Sequence, residues 1–233
     1  MIEKQRHHEK KEKPLAGISV LLSASVPDEL NPSMDAQDIL SALILFTQKI
    51  IAAGGRIVFG GHPTVTPLIR KAVLTINGER EAVRLYQLRR FREHAPEEIR
   101  DENAFGKVHW IGNEQGEASM ESDLGEMRDA MCAASQAAIF IGGKTSGYHG
   151  SKPGIRDEYE RFLKHNPTGP VYLIGVMNGE TGRIIHELEQ QERHEPNALS
   201  DKERRIVHHE RNIDLITPIV VHDIARFIDK KAP

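Results

Sequence analysis

Glu158 and Arg128 are two residues of this chain that could contact a sugar-phosphate. Glu158 stands four residues after Gly154, one turn into a segment with helical apolar spacing. A carboxylate there can accept hydrogen bonds from ribose hydroxyls, or take part in cleavage at a ribosyl centre. It can also do no more than complement the positive end of its helix. Arg128 fits an ion pair or a phosphate contact equally well. Two glycine pairs add to this set. Gly60-Gly61 is followed by His62, Pro63 and Thr64, and Gly142-Gly143 by Lys144, Thr145 and Ser146. A cation and two hydroxyls directly after a glycine pair suit a diphosphate. A histidine ring could stack on a base or donate to a phosphate. The alternatives are a polar surface loop for Lys144 to Ser146 and a plain helix-entry residue for His62. Tyr148, His149 and Lys152, between Gly147 and Gly150 or beside them, fit a lid or a mobile loop.

Each glycine pair ends a run that reads as a buried strand, Arg56 to Phe59 and Ala137 to Ile141, and each precedes a helical segment. A strand, a glycine turn and a helix start together present backbone N–H groups at a positive helix end, which is a phosphate site. Glycine leaves room for the tight turn and for close approach of a ligand. Two such turns suggest a nucleotide-sized ligand held from two sides by Gly60, Gly61, Gly142, Gly143, Gly154 and Ile155. Ser23-Ala24-Ser25 ends the first strand at the same edge.

The elements that must position these residues alternate. Strands are expected at 17–23, 56–59, 81–88, 107–111, 137–141 and 171–176. Helices are expected from Asp35 or Asp38 to about Ala53, from 64–67 through Ile76, and over 122–135, 154–165, 182–191 and 218–230. Asn77-Gly78 is the expected stop of the second helix. Residues 89–106 read as charged and irregular or weakly helical. Residues 192–212 read as a helix or a mobile surface insert. Continuous Val/Ile/Leu strands alternating with helices predict an α/β fold: a Rossmann-like, doubly wound, mainly parallel sheet of about six or seven strands with helices on both faces. In such sheets ligands lie at the carboxyl ends of the strands.

At 233 residues the chain suits one large α/β domain over 15–233, behind a charged arm at 1–14. Hydrophobic residues at 39% and charged residues at 28% are ordinary for a globular protein. The net charge of −3 gives no basic field for nucleic acid, so no direct nucleic-acid binding is expected. No apolar run reaches membrane-spanning length. The charged start, without an apolar core behind it, does not read as a secretory signal. The single cysteine, Cys132, forms no internal disulfide and fits a reducing cytoplasm. Arg89, Arg90 and Arg92 could meet a second phosphate or a partner subunit, or form a solvated charge run. The twelve histidines include the adjacent pairs His7-His8 and His208-His209. Adjacent residues do not share a helix face, and no His-x-x-x-His or Cys-x-x-Cys spacing occurs. No metal site is therefore expected. Cys132 is expected to face the core, and Ser23 and Ser25 lack a nucleophile-elbow pattern.

The run from Met127 to Gly143, with Gly154-Ile155-Arg156-Asp157-Glu158 after it, resembles the signature of the SLOG superfamily. That superfamily includes the lysine-decarboxylase-like LOG phosphoribohydrolases and the sensor domains of TRPM channels and Thoeris anti-phage defence effectors. Leu22 to Ser25 and the block Gly54 to Pro63 resemble the prokaryotic sensor-like branch. The likeness to LOG enzymes implies that Glu158 and Arg128 serve N-glycosidic cleavage of a nucleoside monophosphate. Several departures speak against that chemistry. Ile141 and Ile155 replace a proline and a threonine, and ten residues, Lys144 to Pro153, stand where those enzymes have one. Arg128 precedes Met131 by three residues rather than four. One residue on a helix turns a side chain by about 100°, which predicts that Arg128 misses the catalytic position. The resemblance therefore implies a sensor for ADP-ribose, cyclic ADP-ribose or an NAD-like nucleotide, with no further cofactor required. It implies output through a homodimer or higher oligomer, or through an effector protein, in anti-phage or stress signalling. The alternative is a nucleotide N-glycosidase using Glu158 and Arg128.

Overall fold

The computed structural model describes residues 13–28, 30–32, 34–61, 65–76, 80–100, 106–112 and 119–230. Its elements in chain order are β1 (Ser19–Ser25), α1 (Ala36–Ala52), β2 (Arg56–Gly60), α2 (Thr66–Thr75), β3 (Val83–Leu88), α3 (Glu97–Arg100), β4 (Lys107–Ile111), α4 (Met120–Ala133), β5 (Ala137–Gly142), α5 (Gly154–His165), β6 (Val171–Ile174), α6 (Gly179–Gln190), α7 (Asp201–His209) and α8 (Ile213–Asp229). The six strands form one wholly parallel sheet in the order β4-β3-β2-β1-β5-β6. The order reverses between β1 and β5, so the carboxyl ends of the central strands open a crevice there. This is the expected Rossmann-like α/β architecture.

The strands alternate between two apolar layers, as a period of two requires. Val20 and Leu22 of β1, Ile57 and Phe59 of β2, and Ile139 and Ile141 of β5 enter one core with α1, α2, α7 and α8. Leu21, Val58, Ala138 and Phe140 enter the other with α4, α5 and α6. A strand buried on both faces cannot show polar alternation, which is why these read as continuous apolar runs. Tyr172 of β6 is fully buried, and its hydroxyl donates to Asp223 of α8 at 2.9 Å. Asp223 also accepts from the Ala198 N–H at 2.9 Å. Burial and this carboxylate push the Tyr172 phenol far above its usual range.

Most boundaries fall within a few residues of those the sequence predicts, and the exceptions have local causes. α8 starts at Ile213, capped by Asn212, and Pro218 lies inside it rather than at its start. Both Pro218 and Asp214, the residue four back, are exposed. Pro218 has no N–H to give the Asp214 carbonyl, and it interrupts the helix ladder on an exposed face. The charged stretch 192–212 is an ordered part of the domain. Pro196 O and the Asn197 amide pair with the Val171 backbone at 2.7 and 2.8 Å, and Ser200 and Glu203 form a capping box on α7. The third strand begins at Val83 behind a 3-10 turn at Arg80–Ala82. The sixth ends at Ile174 before another at Gly175–Met177. Residues 89–106 hold a 3-10 turn at Arg89–His94 and the short α3, with 101–105 outside the described residues. His62, Pro63, Thr64, Asn77-Gly78 and residues 1–12 of the expected arm also lie outside them.

Candidate functional site

A cavity of about 650 Å³ opens at the carboxyl edge of the sheet. β1 brings Ser23, Ala24 and Ser25 to it, β2 brings Gly60 and the following Gly61, and α5 brings Gly154, Ile155 and Glu158. Arg128 enters from α4. Apolar lining comes from Val65, Leu88, Phe91, Ala95, Ile99 and Leu124. The lining thus holds groups that suit a charged, hydroxyl-bearing ligand and groups that suit an apolar one. Its volume lies within the ordinary range for small-molecule sites.

Arg128 and Glu158 meet in this lining. The Arg128 guanidinium bonds Asp157 at 2.9 Å and lies 3.6 Å from Glu158. The turn of about 100° read from the spacing to Met131 does not carry Arg128 away. Packing of Met127 and Met131 against the sheet, together with Ile155 and Tyr159 of α5, sets where α4 lies. A long side chain then reaches the α5 N-terminus. Gly154 makes room for it, since a Cβ there would stand 3.0 Å from the guanidinium. Burial raises the Glu158 pKa above that of an ordinary carboxylate, although Arg128 and a hydrogen bond from Ser23 pull it down. A carboxyl poised in this way can exchange a proton with a ligand.

Two helix starts meet this cavity. Thr66 and Pro67 of α2 and Gly154 and Ile155 of α5 line it. Neither helix has a side-chain cap: Val65 and Pro153 occupy the cap positions. α1, α4, α7 and α8 are capped by Asp35, Ser119, Ser200 and Asn212, while α6, away from the cavity, also lacks a side-chain cap. The uncapped first turn of α5 offers N–H donors and a positive dipole end to an anion, whereas α2 offers chiefly its dipole end, since Pro67 has no N–H and the Leu68 N–H donates to Val65 O at 3.1 Å.

The glycine turns themselves behave differently. The Gly61 N–H donates to Tyr86 O at 2.9 Å, and the Gln87 amide crosses over Gly61 to bond its carbonyl at 2.8 Å. Gly142 and Gly143 adopt positive φ, +68° and +100°. The Gly143 N–H donates to Ser25 O at 2.9 Å, and its carbonyl accepts from the Glu180 N–H at 3.0 Å. The Thr145 N–H and hydroxyl donate to Asp28 at 2.8 and 2.9 Å, and the Ser146 hydroxyl donates to the same carboxylate. Those hydrogen bonds hold the Asp28 pKa far below the usual carboxylate range. Gly142, Gly143, Lys144, Thr145 and Ser146 do not line the cavity.

The arginines after β3 also have other duties. Arg90 pairs with Asp123, Arg89 reaches Trp110 O at 3.3 Å, and Arg92 lies 5.7 Å from the Trp110 ring centre. They hold the 3-10 turn in place, which leaves Phe91 and His94 on the cavity wall. Phe91, Gln87, Arg70 and Leu124 were missed by motif reading, because they belong to no motif. Only the alternation of exposed charge with a lone aromatic at 89–94 hinted at Phe91. Cys132 is fully buried, as expected, and burial pushes its thiol far up, away from reactivity.

The fold and this site define a Rossmann-like protein with a cavity at the carboxyl edge of a parallel sheet. The chain matches the model of the SLOG cluster3 family over residues 33–210, and it belongs to that family. Among solved structures it is similar to TM1055, a structural-genomics target, with a TM-score of 0.55 and 17% identity, covering 88% of this chain and 99% of that one. It is also similar to DNA processing protein A from Helicobacter pylori, described for its single-stranded DNA binding mode. That match has a TM-score of 0.54 and 12% identity, covering 89% of this chain and 82% of the other. At these identities the likeness speaks to the fold. No curated protein matches the chain significantly.

Proposed function

We propose that this chain binds a nucleotide-derived small molecule of the ADP-ribose, cyclic ADP-ribose or NAD type, and that it serves as a sensing module. One observation carries the reading: two uncapped helix starts, those of α2 and α5, converge on one cavity that also holds Arg128 and Glu158. The phosphates sit at those helix starts, a ribose hydroxyl donates to Glu158, and the base lies against Phe91 and its apolar neighbours. The glycine at position 154 is needed for close approach, and Ser23 and Ser25 supply hydroxyls to the same sugar. Output passes through self-association or an effector protein.

A second reading is favoured by the pairing of Arg128 with Glu158. It is hydrolysis of an N-glycosidic bond, with Glu158 activating water or steadying the ribosyl centre and Arg128 holding phosphate. The ligand remains a small nucleotide and not a DNA strand, since the chain carries a net charge of −3.

Calorimetry against ADP-ribose, cyclic ADP-ribose, NAD, AMP and a single-stranded oligonucleotide tests this. Binding of one of the small nucleotides, weakened at least tenfold in Arg128→Met, is the expected result. Silence toward all four small nucleotides sinks the proposal, and binding of the oligonucleotide alone replaces it. Chromatography after incubation with AMP and NAD separates the two readings. Free base released by the wild type and not by Glu158→Gln establishes the enzyme. Size-exclusion chromatography with light scattering, with and without ligand, reads the assembly.

A further inference from the structure

The far end of the domain gathers a second set of polar side chains. Glu189 stands in the last turn of α6, and His208 and His209 end α7. Among the described residues, one ligand atom from each of these three lies within 4.8 Å of those from the other two. Donors around a zinc ion sit roughly 3.4 Å apart, given bond lengths of about 2.1 Å in a tetrahedron. Glu189 and His209 are exposed, so rotation of their side chains can close that gap.

His208 is prepared in a way that surface histidines are not. It is buried, and its Nε2 lies 2.7 Å from the buried Glu195 carboxylate. A carboxylate on one ring nitrogen fixes the tautomer and raises the basicity of the other, which is how metal-ligating histidines are usually held. Arg204 braces the second Glu195 oxygen at 3.3 Å and also bonds Asn197 and Leu199 O. The C-terminal ends of α6 and α7 both point here, and that end of a helix favours a cation. These residues line a depression of about 310 Å³ that shares no residue with the large cavity.

The adjacent histidines read as unable to share a helix face. Their position at the helix end removes that objection: the rings stand 5.8 Å apart at 86°, and the third donor comes from another helix. We propose that Glu189, His208 and His209 bind one divalent cation of the zinc class, with Glu195 positioning His208. Two imidazoles and one carboxylate select zinc, cobalt or nickel over calcium or magnesium, which prefer all-oxygen sites. With three protein donors, the fourth position is left to water.

The test is titration of zinc and cobalt into full-length protein carrying His7→Ala and His8→Ala, which removes the other adjacent pair. Calorimetry should give one equivalent, and cobalt should develop the visible absorption of a low-coordinate site. His209→Ala and Glu189→Gln change exposed residues and should keep the wild-type circular dichroism while weakening binding at least tenfold. Glu195→Gln should weaken it about 10–100-fold without removing a ligand. The proposal fails if the parent protein takes up no metal, or if both His209→Ala and Glu189→Gln bind it as tightly as the parent. Should Glu195→Gln not fold, the two exposed variants decide alone.

Discussion

Gly60-Gly61 and Gly142-Gly143 each end a buried strand and lead toward a helix, yet their surroundings differ. The first pair opens onto the cavity, with Met127 and Met131 close behind Gly60 and the Gln87 amide over Gly61. The second is closed on itself: Ser25 O, Glu180 N–H, Ile155 and Pro27 pack around it, and Asp28 takes the hydroxyls of Thr145 and Ser146. Identical local grammar can therefore serve a ligand or a chain crossing. The Gly61 and Gly143 N–H groups are both used within the protein, so the difference is one of position: the first pair lines the cavity and the second does not.

Four substitutions probe that contrast. The largest effect is expected at Arg128→Met, on the open side. It leaves Asp157 and Glu158, both largely buried, without their shared cation. Removing one partner of a buried pair costs about 3–5 kcal/mol, so urea denaturation should show a loss of that order, together with lost ligand binding. Next is Gly143→Ala, on the closed side. At φ +100° the new Cβ would meet Ile155 at 2.9 Å and Glu180 at 3.1 Å. Strain of that kind costs about 1–3 kcal/mol. Protein that still folds should bind ligand as the wild type does; a selective loss of binding would return the second turn to the site.

Glu158→Gln should move stability the other way. The folded carboxyl has a raised pKa, so the native state holds its proton more tightly than the unfolded chain. Stability attached to that proton is present below the ordinary glutamate pKa, near 4.3, and is lost as pH rises through the higher folded value. The variant should therefore melt above the wild type at pH 7.5 and lose that advantage near pH 4. An advantage that persists at pH 4 would mean that ionisation is not the cause. The smallest effect belongs to Asp28→Asn. Asp28 has a depressed pKa, so its contribution is present above the ordinary aspartate value, near 3.9, and fades as pH falls through the folded value. Wild type and variant should differ slightly in Tm at pH 7 and converge in strong acid. Proteolysis near Lys144 to Pro153 should quicken in the variant, because the clasp on Thr145 and Ser146 is weaker.

Legibility in the sequence followed the range of the forces involved. β4 and α5 begin and end where the sequence predicts, because each is bounded by local signals: Asn166 caps α5 and Pro167 follows it. The strand cores were legible because burial on both faces forces continuous apolar runs. α6 starts three residues before its apolar pattern does, at Gly179, where its second residue, Glu180, donates its N–H to Gly143 O. No local pattern encodes that bond. Arg128 and Glu158 both line the cavity. Their 3.6 Å approach depended on how α4 and α5 pack, which residue counting along α4 could not supply.

By itself the sequence determined the class of this protein: a parallel α/β sheet, with its chemistry-bearing residues at the carboxyl ends of the strands. Periodicity, glycine turns and caps act within a few residues of one another, so they survive in one dimension. Only the tertiary structure decided which donors remain available and which side chains meet. It closed the second glycine turn, brought Phe91 and Glu158 to the lining of one cavity, and set Glu189 beside His208 and His209. Each of those outcomes joins residues far apart in the chain, through packing that no single segment specifies.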